Sequence, residues 1–174
     1  MAKKQLCGDK WISLWQDDSG TLIVKMDDGV TIVPVNAKGE VLLISEPSVA
    51  YDGLRSLLLP AGALEPDEDP ADSANRELQE EIGYKANRLD SLGIIYSSIK
   101  YVDEKFHVYL ARDLEVSFLE GDEPDGWIEA QTPVPLSDIE TLIADGKLLN
   151  ASTIAALFLA RNFIDKENAL RQEK

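Results

Sequence analysis

Residues Gly62 to Tyr84 read GALEPDEDPADSANRELQEEIGY, and the fold is decided here. Asp69 is placed to cap a helix, and Pro70 suits its first position because it has no N–H to leave unpaired. Gly83 supplies the left-handed stop. The spacing predicts a helix over 70–82. At about 100° per residue, Ala71, Ala74, Leu78 and Ile82 line up as one apolar stripe. Arg76, Glu77, Glu80 and Glu81 fill the opposite arc. Carboxylates at i, i+3 and i+4 repel one another, and a lone arginine, which reaches Glu80 at i+4, does not neutralise them. The helix alone leaves two readings open: a bound hard cation, which takes carboxylate oxygens, or a plain solvated acidic face.

Outward from this helix, the chain alternates short apolar segments with turns. Thr21–Met26, Thr31–Val35 and Val41–Ser45 are β-branched or apolar, separated by Asp27-Asp28-Gly29 and Asn36-Ala37-Lys38-Gly39, and read as strands. Residues 47–60 read as irregular. Strands resume at Leu89–Tyr96 and Phe106–Asp113. Ser137-Asp138-Ile139-Glu140 has the spacing of a capping box and opens a short helix ending near Gly146. A last helix over about 151–166 carries Ile154, Leu157, Phe158 and Phe163 on one face. Strands interleaved with helices predict an α/β architecture with a mixed sheet covered by helices.

Composition narrows the function. The chain has 174 residues, 44% hydrophobic and 28% charged, which fits one globular domain over 1–174. Asp and Glu number 32 against 17 Lys and Arg, a formal net charge of -15 that excludes a general binder of nucleic-acid polymers. A protein this acidic needs divalent cations if it is to handle phosphates. The single Cys7 excludes an intramolecular disulfide and a Cys-x-x-Cys metal knuckle. The opening MAKKQLCGDKW lacks a signal-peptide apolar run, and no stretch reaches transmembrane length, so a cytoplasmic protein without membrane contact is expected.

The wider spacing is more specific. Gly62, five residues, Glu68, seven residues, then Arg76-Glu77-Leu78-Gln79-Glu80-Glu81-Ile82-Gly83-Tyr84 resembles the Nudix box, G-x5-E-x7-R-E-U-x-E-E-x-G-U, with Leu78 and Tyr84 at the bulky apolar U positions. The resemblance implies an α/β/α sandwich with a mixed central sheet and an additional N-terminal β-hairpin. It also implies hydrolysis of a nucleoside diphosphate linked to another moiety, with two or three Mg²⁺ or Mn²⁺ ions per site. By matching position, Glu77 and Glu81 are the implied principal metal ligands, with Glu80 a further ligand or a water-orienting group. Ala61 supplies a main-chain carbonyl to metal, Gly62 is the close turn, and Arg76 and Glu68 brace the loop-helix-loop.

Beyond the box, residues 25–165 are similar to the ADP-ribose and nucleoside diphosphate sugar pyrophosphatases. The chain departs from many of them at Ser45-Glu46-Pro47, where they carry glutamine-tyrosine-arginine. In that group a glutamate of an acidic loop serves as general base or further ligand, which implies Glu123, with Glu120 second. Trp11, Trp15, Arg55 and Gly62 are the substrate-binding candidates. ADP-ribose is the expected substrate. The alternatives are a dinucleoside polyphosphate or nucleoside triphosphate pyrophosphohydrolase, and a non-catalytic nucleotide sensor. The apolar Trp11–Met26 predicts that residues 1–28 pair two copies into a homodimer.

Overall fold

The computed structural model describes residues 2–119 and 129–172, so Glu120 and Glu123 lie outside the described residues. Strands β1 (Lys3–Gly8), β2 (Ile12–Asp17) and β3 (Leu22–Met26) precede β4 (Gly29–Pro34), β5 (Glu40–Pro47), β6 (Arg55–Leu58) and β7 (Ala61–Ala63). Helix α1 (Pro70–Ile82) follows, then β8 (Tyr84–Tyr96), β9 (Val102–Asp103), β10 (Lys105–Val116) and β11 (Glu129–Pro135). A 3₁₀ turn at Leu136–Asp138 leads into α2 (Ile139–Ala144), and α3 (Ala151–Gln172) completes the fold.

The central sheet runs β7-β4-β10-β8, parallel between β4 and β10 and antiparallel elsewhere, so it is mixed as expected. A second sheet, β11-β5-β6, joins it where Val35 bridges Val41 across the Asn36–Gly39 turn. Both faces of the strands are apolar because both are covered. Val30 and Ile32 of β4 and Leu42 and Ile44 of β5 pack with Ala74, Leu78 and Ile82 of α1. The alternate residues Val33, Val41 and Leu43 pack with Ala156, Leu157 and Ala160 of α3. This is the α/β/α sandwich. Leu78 is fully buried, and truncating it to Ala would cost about 2–5 kcal/mol.

Several elements differ from their sequence readings, each for a physical reason. Residues 55–58 form a strand rather than an irregular segment, because Leu57 and Leu58 pair with Ser45 and Ile44 at the edge of β5. The expected capping box at Ser137 does not form. Ser137 Oγ donates to its neighbour Asp138 at 2.8 Å, and a 3₁₀ turn precedes the helix. Helix α3 runs on to Gln172 because Glu167 accepts from Arg88 at 2.8 Å and from Arg112 at 2.5 Å, tying the helix to β8 and β10. The N-terminal hairpin β2–β3 is present and gains β1 on one side. On the other side β9, from the β8–β10 connection, pairs in parallel with β3 at Val24–Val102 and Lys25–Asp103. Among the described residues no helix is long and apolar enough to cross a membrane.

Candidate active site

Helix α1 is fixed at both ends as its sequence dictates. Asp69 accepts from Ala71 N at 2.8 Å, and Gly83 takes φ 69° while its N–H reaches Gln79 O at 3.2 Å. A Cβ on Gly83 would lie 2.1 Å from the Phe118 ring, so no larger residue fits there. With Ala74 and Leu78 seated in the core, Glu77 is carried against β7 and is 7% exposed. Its carboxylate lies over Gly62 so closely that a Cβ there would meet its atoms at 2.0–2.3 Å. One turn on, Glu81 Oε2 accepts from Ala61 N at 3.2 Å.

Arg76 organises the rest. Its Nε donates to Glu68 Oε1 at 3.0 Å, and its Nη1 to Glu77 at 2.8 Å and Glu80 at 3.0 Å. Its Nη2 donates to Ala63 O at 3.1 Å, Glu68 Oε2 at 3.1 Å and Ser73 Oγ at 3.2 Å. The guanidinium fork is fully engaged by protein acceptors, which suits a brace. Arg76 holds the Glu68 carboxyl down at about 2, and the hydrogen bond from Arg76 to Glu68 in turn raises the arginine's own pKa.

Glu77 and Glu81 behave differently. Burial pushes Glu77 up despite Arg76 beside it, and pushes Glu81 up to about 9, with the Glu77 and Glu46 charges adding to the effect. Glu77, at 7% exposure, is not a solvated side chain, while Glu80 and Glu81 on the same arc are half-buried. A buried and a half-buried carboxylate, Glu77 and Glu81, each pushed up by burial and by neighbouring carboxylates, stand beside a backbone cradle that any Cβ would fill, an all-oxygen donor set suited to a hard divalent cation. Among the described residues, no three His, Cys, Asp or Glu side chains are gathered closely enough to hold a metal as they stand. The acids are instead drawn onto Arg76 and the Ala61 N–H.

The fold thus brings together Ala61, Gly62, Glu68, Arg76, Glu77, Glu80 and Glu81. Arg55 stands opposite Pro47 at the start of β6. Trp15 belongs to β2 and Trp11 to the bend before it, and among the described residues neither makes a hydrogen bond to the box. Trp15 lies between Gln5 and Ile23 and donates to Ser13 Oγ at 2.8 Å, while Lys10 Nζ sits 4.3 Å from the Trp11 ring centre. Sequence reasoning noted Glu46 of β5 only as a departure from a motif; its charge is one of those that push Glu81 up.

Residues 25–157 match the NUDIX domain, and the chain belongs to that family; it is an enzyme of the Nudix hydrolase class. It is 31% identical over 185 residues to the ADP-ribose pyrophosphatase of Bacillus subtilis (strain 168), covering 100% of this chain and 96% of that protein. It is 34% identical over 137 residues to the ADP compounds hydrolase NudE of Escherichia coli (strain K12), covering 79% of this chain and 72% of that protein. A crystal structure of an ADP compounds hydrolase superposes with a TM-score of 0.78 at 28% identity, over 96% of this chain and 94% of the other.

Proposed function

We propose that this chain hydrolyses the pyrophosphate bond of a nucleoside diphosphate sugar, ADP-ribose foremost, with Mg²⁺ or Mn²⁺, two or three ions per site. The observation that carries the reading is the pair of buried Glu77 and half-buried Glu81 set against Gly62 and Ala61 within a complete box. The names of the relatives favour ADP-ribose. Divalent ions, when bound, would neutralise the pyrophosphate oxygens and lower the pKa of an attacking water. Glu77, Glu81 and the Ala61 carbonyl would hold them, and Glu80, a third exposed in its side chain, would be a further ligand or orient water. Arg76 and Glu68 position the glutamates and touch no substrate. Glu123, with Glu120 second, takes the proton from water. Cleavage gives a nucleoside monophosphate and a sugar phosphate.

The enzyme acts as a homodimer through residues 1–28. Support comes from Leu6, Trp11, Ile12 and Leu22, large apolar side chains that the N-terminal sheet leaves 44–58% exposed. Trp11 and Trp15 would serve a substrate from that interface. Sedimentation near physiological ionic strength should give about twice 19.2 kDa, and a concentration-independent monomer mass refutes the dimer.

A substrate panel tests the chemistry. ADP-ribose, other nucleoside diphosphate sugars, dinucleoside polyphosphates and nucleoside triphosphates are offered with Mg²⁺ or Mn²⁺. Turnover should be fastest on ADP-ribose and should stop in excess EDTA. Undiminished activity in EDTA refutes the metal role, and no turnover on any member favours a nucleotide sensor.

A further inference from the structure

Going round α1 at about 100° per residue, Glu77 and Glu81 flank the apolar stripe of Ala74, Leu78 and Ile82 on one side. Asn75 and Gln79 flank it on the other, and both are tied to the strands. Asn75 Oδ1 accepts from Ala86 N at 2.8 Å, and its Nδ2 donates to Ala86 O at 3.3 Å. Ala86 lies on β8, the last strand in the order of the central sheet, so Asn75 takes the place of the strand neighbour that β8 lacks among the described residues. One turn on, Gln79 Nε2 donates to Ser117 Oγ at 2.8 Å, just past the end of β10. Ser117 N donates to Gly83 O at 2.9 Å, and the Phe118 ring rests against Gly83.

Apolar packing alone leaves one freedom of the helix open. Burial is non-directional, so the stripe fixes how deep α1 sits on the sheet better than how far it is turned about its axis. Hydrogen bonds are directional and fix that turn. Helix side chains end about 5–6 Å from the axis, so a turn of about 10° carries a carboxylate by about 1 Å. A displacement of that size at a reacting centre costs about a hundredfold in rate. Glu77 lies over Gly62, and Glu81 accepts from Ala61 N at 3.2 Å, so both stand where such a turn is felt.

We infer that Asn75 and Gln79 are positioning residues of the acidic site. By strapping the far flank of α1 to β8 and to Ser117, they set the rotation of the helix, and so where Glu77 and Glu81 stand against Gly62 and Ala61. The inference rests on the reading that these glutamates hold divalent ions. Asn75 and Gln79 hold no ion themselves. Arg76 has a separate task, since its hydrogen-bond partners lie within residues 62–84: it gathers the acids, and the straps turn them.

The test reads metal affinity and turnover apart. Mn²⁺ is titrated calorimetrically into the substrate-free chain, and AMP release from ADP-ribose is followed at saturating Mn²⁺, well below each variant's melting temperature. In Asn75→Ala/Ser117→Ala, with both straps cut, the Mn²⁺ dissociation constant should rise about tenfold or more. Its kcat should fall about a hundredfold with KM held within about threefold. Gln79→Met and Ser117→Ala cut the same bond, so each should lower kcat, and the two together should lower it no further. Ser117→Thr keeps the hydroxyl and should behave as the parent. A lowered melting temperature with parental Mn²⁺ affinity and kcat makes the straps purely structural and overturns the inference. So does a loss of kcat in Ser117→Ala at parental Mn²⁺ affinity, which would place the effect in the chain beyond Ser117 rather than in α1. Should the double variant not fold, Gln79→Met and Ser117→Ala decide by the same two readings. If the parent binds Mn²⁺ but turns over nothing, the hydrolase reading fails by itself and the titrations still decide the straps. If it binds no Mn²⁺, the metal reading and this inference fall together.

Discussion

Adding a single methyl at Gly62 tests the geometry of the acidic site most directly. The new Cβ would sit 2.0 Å from Glu77 Cδ, where ordinary contact begins near 3.4 Å, so the carboxylate has to retreat by about 1.4 Å. It can do so, because the obstructing atoms end a flexible side chain rather than belonging to backbone. The retreat breaks the 2.8 Å charged bond from Arg76, worth about 1.5–3 kcal/mol. Replacing glycine by alanine recovers about 0.4–1 kcal/mol through the unfolded chain. The net loss is about 1–2 kcal/mol, so the melting temperature of Gly62→Ala should fall by about 2–8 °C. Turnover should not survive as well. A displacement on the order of 1 Å at a reacting centre costs about a hundredfold, equivalent to about 2.7 kcal/mol of barrier. The assay pairs AMP release from ADP-ribose at saturating Mg²⁺ with thermal melts followed by circular dichroism. A variant that keeps near-parental kcat refutes the placing of Glu77 against Gly62. One that unfolds refutes the claim that the carboxylate alone absorbs the clash.

Glu77→Gln and Glu81→Gln should each lower turnover by orders of magnitude. Their metal-free melting temperatures should equal or exceed the parent's, since each removes a charge that burial disfavours; a cooperative loss of stability contradicts this. Glu123→Gln should reduce kcat with little change in KM, and a larger loss in Glu120→Gln moves the base to that residue. The Glu167 carboxyl is held at about 2 by Arg112 and Arg88, below its ordinary 4.5. A depressed carboxylate adds stability above its unfolded pKa and loses it as pH falls through the folded one. Stability should therefore drop by about 1–2 kcal/mol between about pH 4.5 and 2, after allowing for the pair's partial exposure, and Glu167→Gln should flatten that limb. Denaturant titrations with parallel slopes in that window would show the pair contributes nothing.

Local signals were legible where chemistry is local. Asp69, Pro70 and Gly83 bracket α1 to the residue, and the i+4 pairing of Arg76 with Glu80 is present at 3.0 Å. What was illegible depends on partners distant in the chain. Leu57 and Leu58 become a strand only because β5 offers an edge. Lys3–Gly8 alternates no apolar pattern and is exposed throughout, so nothing in it announces a strand before β2 is there to pair with. The helix wheel set Glu77 on a polar arc, yet β7 closes over that arc and buries it. The charge of Glu46 reaches Glu81 from a strand outside the box, which no sequence spacing encodes.

The two parallel pairings have a consequence for synthesis of the chain. Strand β4, residues 29–34, finds its partner β10 only at residues 106–111, and β3 waits for β9 at residues 102–103. As the polypeptide leaves the ribosome N-terminus first, the meander and β4, a strand buried along its whole length, emerge long before either edge is covered. Pairings this distant close slowly, and open edges in the interval invite association between nascent chains. The acidic surplus of the chain works against that association. The complete chain carries a formal charge of -15, and the part already made carries the same sign.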